Sequence, residues 1–298
     1  MELNRRTLFK IAGVAGAAGL AGRSSSAKAS VHARSGAKGV LVDTTLCVGC
    51  RGCEAACSEA NHLPEPNSPG DDAVFASKRI TGPETFTVVN AAKKSGPAGE
   101  DRYAKSQCMH CIEPACASAC CVKALEKTAA GPVVYHEDKC LGCRYCMVAC
   151  PFEVPKYQYT KALPLVRKCT FCAERQKAGQ APACTEVCPS GALTFGTREE
   201  LVEVAKTRIY QNPTKYVHHV YGEEEAGGTS WLYISDIPFE KLGLTNKVGT
   251  TPYPQLTQGA LSTVPFVLTL WPPLLMGLYT FSKRREKADG SHEGPSHE

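Results

Sequence analysis

Cys140-Leu-Gly-Cys143-Arg-Tyr-Cys146-Met-Val-Ala-Cys150-Pro151 spaces four thiols as C-x2-C-x2-C-x3-C before a proline. Three thiolates on one tight loop can cap three iron corners of a [4Fe-4S] cubane, but so short a loop cannot reach the fourth, which a distant cysteine must supply. Cys47, Cys50, Cys53 and Cys57 repeat the spacing. Cys108, Cys111, Cys116 and Cys120 widen the middle gap to x4, and Cys169, Cys172, Cys184 and Cys188 widen it to x11. Sixteen of the seventeen cysteines are thereby used, which leaves Cys121 alone.

Two other chemistries compete for such residues. Structural zinc takes two well-separated C-x2-C pairs, whereas here three cysteines twice crowd into seven residues and a proline follows two quartets, at Pro151 and Pro189. Disulfide scaffolds are short, and 298 residues can bury a core without staples. Iron-sulfur ligation is what the spacings support. There is no nucleophile elbow, Gly-rich phosphate loop or metal-binding histidine pair, so the chain reads as an electron carrier without a catalytic site. The eight histidines, including His110 inside the second C-x2-C, read as exposed or capping residues, and none as a ligand.

The segments that must hold these loops repeat. Cys47-Val-Gly-Cys50-Arg51-Gly-Cys53 matches Cys140-Leu-Gly-Cys143-Arg144-Tyr-Cys146, and the run from Ala115 to Leu125 matches that from Ala183 to Leu193. The fold expected is α+β: two tandem bacterial-type, two-cluster ferredoxin-like units with a long insertion, followed by a C-terminal transmembrane helix. Short apolar strands are predicted at 39–42, 132–135 and 192–195, with each quartet on a loop leading into a short helix. Residues 58–107 form a Pro-, Gly-, Asn- and Lys-rich insertion with strand character only at 86–89, read as a partner-docking surface. Thr197-Arg-Glu-Glu200 predicts a capping box opening a helix through Lys206.

The formal net charge is +5, of which residues 1–29 hold +4, so the remainder is close to neutral and shows no basic stripe for nucleic acid. Arg5 and Arg6 precede an apolar, charge-free run at 11–22 and an A-x-A site at Ala27-Lys28-Ala29, a pattern resembling a twin-arginine export signal. That route carries proteins folded with their cofactors, which fits exported clusters. Residues 261–281 are uncharged and long enough as a helix to cross about 30 Å of hydrocarbon. Lys283, Arg284, Arg285 and Lys287 follow, which predicts a cytoplasmic C-terminus and a cysteine domain on the periplasmic face. Pro265, Pro272 and Pro273 predict a kinked span packed on a partner. The expected organisation is a signal at 1–29, a cluster domain at 30–210, an extension at 211–258, a span at 259–282 and a tail at 283–298.

Taken together, Cys47-Val-Gly-Cys50, Cys108-Met-His-Cys111, the stretch from Gly142 to Phe152, Phe195-Gly-Thr-Arg-Glu-Glu-Leu201 and Tyr221-Gly-Glu-Glu-Glu-Ala-Gly-Gly-Thr229 resemble the four-cluster ferredoxin subunits of membrane respiratory enzymes. More narrowly, they resemble HybA-type subunits of the hydrogenase-2 class. The resemblance implies four [4Fe-4S] clusters with crossed ligation. Cys47, Cys50, Cys53 and Cys188 would hold cluster 1, and Cys169, Cys172, Cys184 and Cys57 cluster 2. Cys108, Cys111, Cys116 and Cys150 would hold cluster 3, and Cys140, Cys143, Cys146 and Cys120 cluster 4. It further implies electron relay between the small and large subunits of a periplasmic nickel-iron hydrogenase and an integral, quinone-reactive membrane subunit in the lipid. The same relay could instead serve a molybdenum or tungsten oxidoreductase. Cys121 stands where relatives carry proline, and is expected to be a small buried hydrophobe.

Overall fold

The computed structural model describes residues 36–66 and 72–289. The expected signal at 1–29, with Arg5 and Arg6, lies outside the described residues, as does the end of the tail from 290. The first half of the fold comprises β1 (Lys38–Asp43), α1 (Gly52–Ala60), β2 (Val88–Ala92), β3 (Arg102–Ser106), α2 (Ala115–Ser118), β4 (Leu125–Lys127) and β5 (Val133–Tyr135). Then come α3 (Tyr145–Ala149), β6 (Lys156–Tyr157), β7 (Val166–Arg167), α4 (Ala173–Lys177), α5 (Ala183–Glu186), β8 (Leu193–Thr197), α6 (Arg198–Gln211), β9 (Trp231–Ile234) and α7 (Tyr253–Asp289). The architecture is α+β, as expected.

Val40, Leu41 and Val42 form a continuous apolar run because β1 is covered on both faces. It pairs antiparallel with β8 and parallel with β9, with Val40 opposite both Phe195 and Trp231. Val40 and Val42 pack with Trp231, Tyr233 and Phe171, whereas Leu41 packs with Leu232, Ile234 and the Leu201, Val202 and Ala205 side of α6. The other strands form three antiparallel hairpins, β2–β3, β4–β5 and β6–β7.

Three expectations need adjusting. The insertion at 58–107 carries a full hairpin whose Val88, Val89, Ala104 and Lys105 are buried, so much of it is core. The capping box at Thr197 and Glu200 is present, but α6 runs beyond Lys206 to Gln211, because Ile209 continues its apolar side and Arg208 reaches Asp43 at 3.1 Å. The C-terminal helix starts at Tyr253 and continues through Pro265, Pro272 and Pro273. Near its start Gln255 donates to Glu113 at 3.0 Å, which ties the helix to the segment before Cys116. Among the described residues it is the one helix long and apolar enough to cross a membrane.

Candidate iron-sulfur sites

Each thiol loop needs backbone that turns left-handed, so that its amides point inward. Gly49 and Arg51 have φ of 72° and 60°, and Gly142 and Arg144 repeat this with 69° and 61°. His110 (47°), Phe171 (56°) and Cys172 (47°) do the same in the other two loops. Amides consequently meet sulfur: Phe171 N–H donates to Cys169 Sγ at 3.4 Å, Gly142 N–H to Cys140 Sγ at 3.4 Å and Ala124 N–H to Cys120 Sγ at 3.2 Å. These N–H groups are donors available to the sulfurs.

The helices then bring distant quartets together. α1 packs on α5, joining the first quartet to the fourth, and α2 packs on α3, joining the second to the third. Cys47 lies within electrostatic reach of Cys188 and Cys50, and Cys53 within reach of Cys47. Cys57 is likewise beside Cys169, Cys184 and Cys172. Cys111 faces Cys108, Cys150 and Cys116, and Cys146 faces Cys140, Cys143 and Cys120. Other neighbours cross between these groups: Cys53 with Cys184, Cys169 with Cys108, and Cys116 with Cys146.

All seventeen cysteines are free thiols. Burial pushes Cys53, Cys116 and Cys169 up to about 12 and Cys146 to about 11, and it raises Cys57 and Cys111 as well. Without iron these thiols therefore keep their protons, and metal binding would displace them. Among the described residues no three His, Cys, Asp or Glu side chains are arranged to hold a single metal ion. A cubane instead takes one thiolate at each of four irons, which suits four thiols gathered from two loops into apolar surroundings.

Three lysines, two of them buried, line the same path. Lys105 on β3 is 2% exposed, with its ammonium 3.0 Å from Gln107 Oε1 and 4.4 Å from the centre of the Trp231 ring. Burial alone would lower its pKa, but the sulfurs of Cys184, Cys53, Cys169 and Cys57 outweigh burial and raise it. Lys168, also buried, donates to the carbonyls of Val133 and Cys169, and Lys127 donates to those of His110 and Gly131. Sequence reasoning missed all three, because their surroundings come from segments far away in the chain.

Two residues differ from expectation. His110 is neither exposed nor a cap: it is fully buried and stacked on Phe171 at 4.9 Å, since the second C-x2-C loop is closed over by other segments. Cys121 is exposed, because the turn that directs Cys120 toward Cys146 sends the next residue outward. The 221–229 stretch also acquires a structural role. Its Gly228 carbonyl accepts from Ile112 N–H at 2.9 Å, and Ser230 beyond it reaches the Met109 and His110 carbonyls, so the segment clasps the Cys108–Cys111 loop. Buried Arg198 holds the clasp through the Thr229 and Glu223 carbonyls, both at 2.7 Å. Gly222 turns it with φ 93°, where a Cβ would lie 2.2 Å from the Trp231 carbonyl oxygen.

The pattern of the 4Fe-4S dicluster domain matches residues 100–198, which contain the second, third and fourth quartets. The hydrogenase-2 operon protein HybA of Escherichia coli O157:H7 is 35% identical over 99% of this chain and 100% of its own length. The chain belongs to the HybA family. A protein of Nitratidesulfovibrio vulgaris is 48% identical over 96% of this chain and 78% of its own. The iron-sulfur subunit of the nitrate-inducible formate dehydrogenase of Escherichia coli (strain K12) is 35% identical over 65% of this chain and 66% of its own. The chain is an iron-sulfur electron-transfer subunit of an oxidoreductase complex that binds [4Fe-4S] clusters and has no catalytic site of its own.

Proposed function

We propose that the chain relays single electrons through four [4Fe-4S] clusters between a periplasmic nickel-iron hydrogenase and a quinone-reactive integral membrane subunit. Cluster 1 takes Cys47, Cys50, Cys53 and Cys188, and cluster 2 takes Cys57, Cys169, Cys172 and Cys184. Cluster 3 takes Cys108, Cys111, Cys116 and Cys150, and cluster 4 takes Cys120, Cys140, Cys143 and Cys146. What supports this reading is that the thiol neighbourhoods adjoin one another, through Cys53 and Cys184, Cys169 and Cys108, and Cys116 and Cys146, each pair within one packed cluster. When bound, the clusters supply the one-electron chemistry. The chain supplies spacing, exclusion of water, amide donors to sulfur and buried positive charge.

The hydrogenase partner is supported by the match to HybA, which spans the 221–229 clasp and the C-terminal helix, whereas the formate dehydrogenase subunit covers 65% of this chain. That second match favours the alternative of a molybdenum or tungsten partner. Export through Arg5 and Arg6 and an anchor in α7, with Lys283, Arg284 and Arg285 on the cytoplasmic side, complete the proposal. Purification of the native complex tests it. About sixteen iron and sixteen sulfide per chain are expected from four cubanes, with nickel in the co-purified catalytic subunit. Molybdenum or tungsten in its place would replace the hydrogenase reading, and a colourless zinc protein would end the relay reading.

A further inference from the structure

His110 rides on the loop between Cys108 and Cys111, yet its ring faces the other ferredoxin unit. Its stacking partner Phe171, at 4.9 Å and 29°, occupies the equivalent position in the loop between Cys169 and Cys172. The ring is fully buried, and its Nδ1 accepts the Val133 N–H at 2.9 Å. A ring whose Nδ1 accepts a backbone N–H carries its proton on Nε2. This Nε2 is buried and has no hydrogen-bond partner among the described residues. It is directed toward the Cys169 backbone without meeting its carbonyl in hydrogen-bond geometry. Stacking prevents the ring from swinging to another acceptor, and a buried N–H left unmade is costly.

We propose that His110 is a hydrogen-bond donor to the neighbouring cluster, its Nε2–H serving a sulfur of the site formed by Cys57, Cys169, Cys172 and Cys184. The histidine thus belongs by sequence to one cluster's loop and by hydrogen bonding to the next cluster, across the Cys108–Cys169 seam. Reduction adds negative charge at sulfur, and a fixed N–H aimed at that charge favours the reduced state. His110 thereby raises the potential of cluster 2, on the step where the electron crosses between the two units. This rests on the relay reading with its crossed ligation.

The experiment uses the purified native complex and redox titration followed by electron paramagnetic resonance. His110→Phe keeps the stacking and removes the donor. The expected result is all four clusters present, with one midpoint potential lowered by about tenfold in its reduction equilibrium, which is 59 mV for one electron. His110→Gln, which can donate from its amide, should recover part of the shift. The moved signal should be the one altered by Cys172→Ser. Wild-type complex containing ring-15N histidine should also show a histidine nitrogen coupled to that reduced cluster, which decides the matter should His110→Phe fail to fold. The proposal is overturned if no ring nitrogen couples, if all four potentials stay unchanged, or if the signal altered by Cys111→Ser moves instead. Fewer than four clusters in the wild type would sink the relay reading itself, a distinct outcome.

Discussion

Arg51 and Arg144 hold the same position in two repeated cysteine loops and the same left-handed backbone, but they meet opposite surroundings. Arg51 is 3% exposed and bonds Glu54 at 3.0 Å, whereas Arg144 is exposed and lies over the rings of Tyr157 and Tyr159. Sequence repetition therefore conserves the turn and leaves the side chain free to take another role.

Glu54→Gln is expected to destabilise the loaded protein by about 3 kcal/mol, since it breaks a buried ion pair and leaves Arg51 and Arg79 facing an amide. Arg144→Ala should cost under about 1 kcal/mol. Burial alone would raise the Glu54 carboxyl, but donation from Arg79, Arg51 and the Val89 N–H outweighs it and lowers the pKa. Its contribution is thus complete above the unfolded carboxyl value of 4.5 and is lost as pH falls through the lower folded value. Thermal loss of cluster absorbance at pH 7 and across the acid range checks both points. Equal stability of the two variants would refute the contrast.

Lys105→Met removes the ammonium that faces Cys184, Cys53, Cys169 and Cys57. Its loss should lower the potentials of the cluster 1 and cluster 2 pair by tens of millivolts and leave the cluster 4 potential alone. Lys105→Arg should restore most of the shift. Redox titration of the complex reads this directly, and a uniform shift of all four potentials would contradict it.

Cys120 and Cys121 are adjacent thiols with opposite exposure. Cys120 receives the Ala124 N–H at 3.2 Å and faces Cys146, whereas Cys121 is at the surface. Cys121→Ala or Cys121→Pro should keep four clusters, and Cys120→Ala should lose or convert one and interrupt the relay. Spectroscopic counting decides, and losses in the reverse order would reassign the ligand.

A stop after Gly259 removes all but the opening turns of α7, leaving the bond between Gln255 and Glu113 available. The exported protein should then wash off the membrane once partner subunits are absent. Replacement of Arg5 and Arg6 by lysine should hold the cysteine domain in the cytoplasm. A truncated chain that remains bound to protein-free lipid would exclude α7 as the anchor.

Much of the site was legible because thiol spacing is local. Each quartet, the strands at β1, β5 and β8 and the cap at Thr197 are written in runs of a few residues. The hairpin strand Arg102–Ser106 was not legible: Arg-Tyr-Ala-Lys-Ser shows no apolar alternation, and the thiols that the buried Lys105 faces come from distant segments. His110 was missed for the same reason, although its alignment with Phe171 in a matching C-x2-C was a usable signal. The start of α7 was underestimated because hydropathy marks where lipid begins, whereas the helix begins earlier, at its contact with Glu113.

On the proposed ligation the two pairs of sites are nested in the chain, and nesting imposes a timetable. Every thiol proposed for clusters 3 and 4 lies between Cys108 and Cys150, whereas those proposed for clusters 1 and 2 run from Cys47 to Cys188, with β1 held between β8 and β9. Contacts close in sequence form sooner than distant ones. The inner pair of sites can therefore be complete while the outer pair waits for almost the whole chain to be synthesised. Cells starved of iron should accumulate chains carrying clusters 3 and 4 alone, visible as half the iron content with the Cys146-dependent signal intact. Such a chain would be a wire cut at one joint, between Cys108 and Cys169, so an immature subunit could not draw electrons out of a finished catalytic partner.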